Sequence, residues 1–176
     1  MAQDQHLTGR ERFFPEEDVI VTKTDRSGKI TYANDIFLSI SSLTERQALG
    51  APHSIIRHPH MPGCVFRLLW DTVQSGGEIF AYVLNRATTG DHYWVFAHVT
   101  PTYDGSGTVT GYHSSRRVPD PGIVAGTIAP LYRELLEIER QGATRAKGIE
   151  AGLGRLDAML KDRGLDYERF VFSLQA

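Results

Sequence analysis

Three long stretches rich in β-branched and aromatic residues, separated only by tight-turn chemistry, constrain this chain more than any other feature. Ile79 to Arg86, about His92 to Tyr103 and Val109 to Arg116 read as strands, with Thr88-Thr89-Gly90-Asp91 and Asp104-Gly105-Ser106-Gly107 reversing the chain between them. Gly supplies the backbone freedom and Asp the local acceptor that such reversals need. Strands joined by short turns pair antiparallel, so this segment predicts a three-strand meander.

A shorter hairpin precedes it. Val19 to Thr24 and Ile30 to Ala33 flank the turn residues Asp25-Arg26-Ser27-Gly28. Asn34-Asp35 then offers a side-chain cap for a helix, and Asn34 to Pro62 predicts several short helices. One of them opens on Thr44-Glu45-Arg46-Gln47, a capping-box pattern. A longer helix over Gly63 to Val73 places Val65, Leu68, Leu69 and Thr72 on one face, and Ser75-Gly76-Gly77 stops it. Two strands, a helical block and three strands make an α+β fold around one antiparallel five-stranded sheet, with short helices on one face.

After Pro119-Asp120-Pro121 the pattern turns helical. Ile128, Leu131, Leu135 and Ile138 share a face, as do Leu153, Leu156, Met159 and Leu160. Gly142, Gly148, Gly152 and Gly154 predict interruptions, since each costs about 1 kcal/mol against Ala inside a helix. The expected organisation is an N-terminal cap segment over 1–18, with Phe13-Phe14 docking, a domain over 19–118, and a helical output or dimerisation extension over 119–176.

Composition narrows the function. The 176 residues suit one domain with an extension, and a net charge of -2 gives no reason to expect nucleic acid or an anionic membrane as partner. A lone cysteine, Cys64, excludes an internal disulfide and a Cys-rich metal site. A polar N-terminus and the lack of a long apolar run make the cytoplasm the expected location, without membrane insertion. His53, His58 and His60 fit no metal-ligand template, so no metal site is expected. No nucleophile elbow, phosphate loop or dinucleotide fingerprint occurs, and alternation points Asp91 and His92 apart, so no catalytic activity is expected.

Four motifs stand out: Ile30-Thr31-Tyr32-Ala33-Asn34-Asp35-Ile36-Phe37, Gly50 to Pro62 with its Arg57-His58-Pro59-His60-Met61-Pro62 core, Asn85-Arg86 with Gly90-Asp91-His92-Tyr93-Trp94, and Gly111-Tyr112 with Ser114-Ser115-Arg116. Together with the element order they resemble PAS sensory domains, in particular the flavin-binding PAS domains of bacterial aerotaxis receptors. The resemblance covers roughly Val19 to Arg117. It implies noncovalent FAD, redox state or oxygen as the input, and signalling through protein contacts, with a homodimer and a downstream signalling protein, in cis or in trans, as partners. Asn34, Arg57 and His58 match the family's flavin-binding positions. His60 stands where the family commonly has Asp, which changes the local charge, and Phe80 stands near an expected Trp.

FAD needs ring contacts, amides for the ring edge and a cation for the pyrophosphate. Asn34 and Asn85 supply amides, Arg57 a planar fork for phosphate oxygens, and Trp70, Phe80 and Tyr93 aromatic rings. Asn34 serves equally as a helix cap and Trp70 equally as core, while Trp94, in a strand, is read as core rather than as a cofactor contact. The expected cofactor-binding set is Asn34, His53, Arg57, His58, His60, Trp70, Phe80 and Asn85. Two alternatives stand beside flavin. One is haem held by one of His53, His58, His60, His92 or His98, since one axial His suffices; the other is a cofactor-free interaction module. A cysteinyl-flavin photoreceptor is disfavoured, because Gly50-Ala51-Pro52-His53 stands where that relative has its reactive Cys.

Overall fold

The expected hairpin is β1 (Ile20–Asp25) and β2 (Ile30–Ala33). Asp25 organises its turn: Oδ1 accepts from the amides of Ser27 at 2.8 Å and Lys29 at 3.0 Å, and Gly28 takes φ +81°. Helix α1 (Asp35–Ser41) starts where Asn34 Oδ1 accepts from Phe37 N at 3.1 Å. Helix α2 (Glu45–Ala48) carries the expected capping box, a 3₁₀ turn covers His53–Ile56, and α3 spans Gly63–Gln74. The meander follows as β3 (Ile79–Arg86), β4 (His92–Tyr103) and β5 (Val109–Arg117). The structure, a computed structural model, describes residues 6–175, so Met1 to Gln5 of the expected N-terminal cap lie outside the described residues.

All five strands form one antiparallel sheet in the order β2-β1-β5-β4-β3. The hairpin joins the meander through β1 and β5, where Thr22 lies opposite Ser114. That register places Thr22, Thr24, Tyr112, Ser114, Arg116, Ala97, Val99, Val83 and Asn85 on one face, towards α3. The opposite face carries Phe80, Tyr82, Trp94 and Phe96. No helix among the described residues is long and apolar enough to cross a membrane.

The chain then turns back on the sheet. Asp120 caps α4 (Pro121–Ile123), accepting from Gly122 N at 2.7 Å, and a π-helical segment, Val124–Ile128, leads into α5 (Ala129–Arg140). Helices α6 (Arg145–Asp162) and α7 (Tyr167–Ser173) complete the fold. Ile128, Leu131 and Leu135 are buried, as the stripe predicts. Phe172 meets Phe80 on the outer face at a centroid distance of 4.8 Å. Strand β3 ends the sheet, and its outward backbone groups are met by side chains: Tyr132 Oη donates to Tyr82 O at 2.6 Å, and Leu84 N donates to Met61 Sδ at 3.5 Å.

Of the four C-terminal glycines named above, Gly142 stands in the break between α5 and α6, as expected, while the other three do not interrupt a helix. Helix α6 runs unbroken through Gly148, Gly152 and Gly154. One of the three sits where another element comes too close for a side chain and a second where the fit is tight: a Cβ on Gly148 would overlap the backbone carbonyl oxygen of Glu139, and one on Gly152 would lie 3.1 Å from Cys64 Sγ. Close approach of α5 and α3 to α6 accounts for them.

That junction also completes α3. Pro62, at its N-cap, offers no side-chain acceptor. Glu139 of α5 fills the role from outside the helix, its carboxylate accepting from Gly63 N at 2.9 Å and Cys64 N at 2.7 Å. A carboxylate there also meets the positive end of the helix dipole. Cys64 is fully buried beside it, with its thiol pKa pushed up by burial and by Glu139, which marks an inert packed thiol.

The N-terminal segment is a strap alongside β4. Arg12 N donates to His92 O at 2.7 Å and His92 N to Arg10 O at 2.9 Å. Phe14 packs on the core while Phe13 is 74% exposed, so half of the aromatic pair docks.

Candidate functional site

Between the inner face of the sheet and α3 lies a cavity of about 370 Å³, within the range of about 300–1,000 Å³ usual for small-ligand sites. Phe66, Leu69 and Trp70 of α3 form one wall; Val83, Ala97 and Val99 form the floor. Helical spacing puts the three α3 residues on one side, and alternation puts the floor residues on one face. Trp70 is held edge-on by Tyr112 at 5.3 Å and approaches the Gly28 turn, where an added Cβ would lie 3.4 Å from its ring.

The polar groups of the cavity come from the 3₁₀ turn and the strands. Arg116 is 4% exposed; its Nη2 donates to Thr22 Oγ1 at 2.8 Å and to His53 Nε2 at 2.6 Å. His53 is thus an acceptor, and burial first, then the charges of Arg116 and Arg57, hold its pKa well below the ordinary value. Arg57 rests on the Phe66 ring, 3.9 Å from its centroid. Among the described residues seven buried side-chain atoms have no hydrogen-bond partner; Thr24 Oγ1, Arg57 Nε, Asn85 Nδ2, Ser114 Oγ and Arg116 Nη1 belong to residues that line the cavity, and Arg86 Nε and Tyr93 Oη to residues that do not. Buried polar groups are normally paired. Such a concentration around one hollow makes this cavity the candidate ligand site.

Of the sequence-derived set, His53, Arg57, Trp70 and Asn85 line this cavity; Asn34, His58, His60 and Phe80 do not. Asn34 is committed to the backbone, since Oδ1 accepts from Val21 N and Phe37 N while Nδ2 donates to Val19 O at 2.8 Å. Phe80 lies on the outer face, stacked on His98 at 4.1 Å. His58 is buried beside the exposed His60, its Nδ1 accepting from His60 N at 3.0 Å, and its ring lies 5.9 Å from that of His92. No group of three metal-binding side chains occurs among the described residues. Sequence reasoning missed Thr22, Thr24, Phe66, Ser114 and Arg116 as cavity residues. A usable signal was present: Tyr112, Ser114 and Arg116 alternate along one face of a central strand, where polar residues need a reason.

Burial, with smaller contributions from the charges of His60, His92 and Arg86, lowers the His58 pKa to about 4. A buried neutral histidine gains its proton on unfolding, so its contribution to stability is complete above about pH 6.5 and is lost as pH falls toward 4. Urea midpoints should fall between pH 7.5 and pH 5 by the equivalent of about 1–2 kcal/mol from this group, and His58→Asn, which keeps an acceptor, should flatten that portion. An unchanged pH profile in the variant would remove His58 from the account.

Comparison with known proteins agrees with this architecture. The family model described as "PAS fold" matches residues 30–116. The aerotaxis receptor of Escherichia coli is 35% identical over 136 residues, 77% of this chain and 26% of that protein. The bacterioopsin transcriptional activator of Halobacterium salinarum is 26% identical over 89 residues, 51% of this chain and 13% of the relative. The chain thus spans about a quarter or less of these relatives. Among solved structures, a light-oxygen-voltage domain studied with a flavin analogue superposes with TM-score 0.56 at 16% identity, covering 66% of this chain and 87% of that one. The light-state structure of the blue-light photoreceptor Aureochrome1 LOV gives 0.55 at 18% identity, covering 70% and 93%. With a five-stranded β2-β1-β5-β4-β3 sheet, short helices enclosing a cavity on its inner face, and this likeness, the chain carries a PAS domain and belongs to that family.

Proposed function

We propose that this chain is a flavin-binding sensory module, with FAD as the cofactor and redox state or oxygen as its input. The observation that carries the reading is the cavity's composition: aromatic and aliphatic walls around a set of unpartnered hydrogen-bonding groups. A flat, heteroatom-edged ring suits such a site. The relatedness to an aerotaxis receptor and to light-oxygen-voltage domains points the same way.

A bound flavin would supply a ring whose charge and protonation change on reduction. Trp70 and Phe66 would pack the ring, Asn85 would face a polar edge, and Arg57, half-buried at the rim, would take phosphate oxygens. Haem finds less support: His53, the one histidine on the cavity wall among the described residues, already accepts from Arg116 through Nε2. A cofactor-free interaction module would leave five unpartnered polar groups unexplained.

The output would run through α3. It carries one wall of the cavity and is tied by Glu139 to the α5–α6 hairpin, so a shift at the wall biases the C-terminal helices. For signalling, the two redox forms must favour different arrangements of these helices. On this reading residues 19–118 are the sensor, 1–18 its strap, and 119–176 the arm that contacts a second copy or a downstream protein in the cytoplasm; signalling, not turnover, is the activity.

A visible absorption spectrum of freshly purified protein tests the proposal. Paired flavin bands that bleach on anaerobic reduction and return with air are expected, with acid release yielding FAD. A colourless protein that takes up no added FAD would overturn it, and a haem spectrum would replace the cofactor.

A further inference from the structure

Arg116 presents an electrostatic problem that the protein does not solve alone. Its guanidinium is buried, and the side chains it bonds, Thr22 and His53, are neutral. No carboxylate lies within salt-bridge distance of it among the described residues. Tyr93 is near enough to feel the charge, but burial raises its pKa and keeps the phenol neutral. Arg57, which also lines the cavity, adds positive charge near His53 rather than a counter-ion. Burial lowers the Arg116 pKa to about 10, which leaves it fully charged at neutral pH. A buried ion without a counter-ion is among the costliest features a fold can keep, and buried charges are ordinarily paired. Here Nη1 has no partner at all, and Ser114 Oγ, two residues away on the same face, has none either.

We propose that the missing partner is an anionic edge of the ligand, so that the cavity selects the reduced, N1-deprotonated form of flavin over the oxidised form. The inference rests on the flavin reading and adds a polarity to it. An oxidised isoalloxazine offers Arg116 only neutral acceptors at N1 and the C2 carbonyl. On two-electron reduction the ring takes one proton at N5, and Arg116 holds N1 as the anion in place of a second proton. Charge-assisted bonds are roughly twice as strong as neutral ones, so Arg116 favours one redox state over the other. That differential interaction is what a population shift requires.

The test uses the full chain loaded with FAD and reduced anaerobically with dithionite. Relative to Arg116→Met, the wild-type protein should prefer reduced FAD at least tenfold, which for a two-electron couple is a midpoint about 30 mV higher. Arg116→Lys should recover part of the preference. The reduced wild-type complex should also keep the absorption of the N1-ionised ring at pH 6, a readout that does not depend on any variant folding. Equal midpoints in wild type and a folded Arg116→Met, or a protonated N1 in the wild-type complex at pH 6, would overturn the inference while leaving flavin binding intact. A wild-type chain that binds no FAD would overturn both.

Discussion

Replacing Gly148 with alanine should destabilise the protein by about 3 kcal/mol, while the same change at Gly154, six residues on in the same helix, should stabilise it by about 1 kcal/mol. Propensity alone gives both substitutions the same favourable sign, because alanine loses less backbone entropy than glycine in a helix. Geometry separates them. A Cβ on Gly148 would overlap Glu139 O and lie 2.9 Å from Glu139 C, backbone atoms that cannot rotate away. A Cβ on Gly154 meets nothing within 4 Å. For a chain of this size the changes correspond to melting temperatures about 6–12 °C lower and about 2–4 °C higher. Thermal unfolding followed by circular dichroism decides the matter. A Gly148→Ala protein as stable as wild type would mean that α5 and α6 are not packed this closely.

Glu139→Ala should cost about 2–3 kcal/mol. Its carboxylate accepts from two amides of the α3 first turn that no residue of α3 itself satisfies. Hydrogen bonds to a charged group contribute about 1.5–3 kcal/mol and a lost cap typically about 1 kcal/mol, with part of the loss recovered by water at this half-buried site. Glu139→Gln should lose about half as much, since its amide oxygen still accepts one bond while its NH₂ opposes the other donor. On the proposed flavin reading, because α3 also carries Phe66, Leu69 and Trp70, the alanine variant should hold FAD more weakly, and FAD should protect the C-terminal helices from hydrogen exchange by a reciprocal factor. Urea unfolding of the two variants measures the first effect. A loss below about 0.5 kcal/mol for Glu139→Ala would show that α3 is capped in some other way.

Local chemistry made most of the fold legible in the sequence. Turns built on Asp25, Gly90 and Asp104, the Asn34 cap and the Thr44 capping box act within a few residues, and each stands where its pattern places it. The site was only half legible. His53, Arg57, Trp70 and Asn85 line the cavity, but Phe80 does not, because β3 is covered on both faces and leaves no polar–apolar alternation to fix which residues point inward. Asn34 was ambiguous for another reason: an amide that caps a helix and one that binds a ring look identical until its three backbone bonds are seen. Arg116 escaped because its meaning lies in the missing carboxylate, a property of the folded surroundings. The helical glycines were misread because propensity ranks a residue in an isolated helix, whereas Gly148 and Gly152 respond to a neighbouring one.

The side chains that meet β3 carry a consequence for solubility. An open strand at the end of a sheet is a template for another chain, and proteins protect such edges to avoid aggregation. Here the guards are Tyr132, from the C-terminal helices, and Met61, from the loop before α3. Any movement that carries α5 away from the sheet uncovers the carbonyl of Tyr82 and opens that stretch of the edge to β-pairing with a second molecule. If these helices are the output arm proposed above, their release is bounded on one side by the need to transmit a change and on the other by the hazard of self-association, and the Tyr132 hydroxyl sits where those two demands meet.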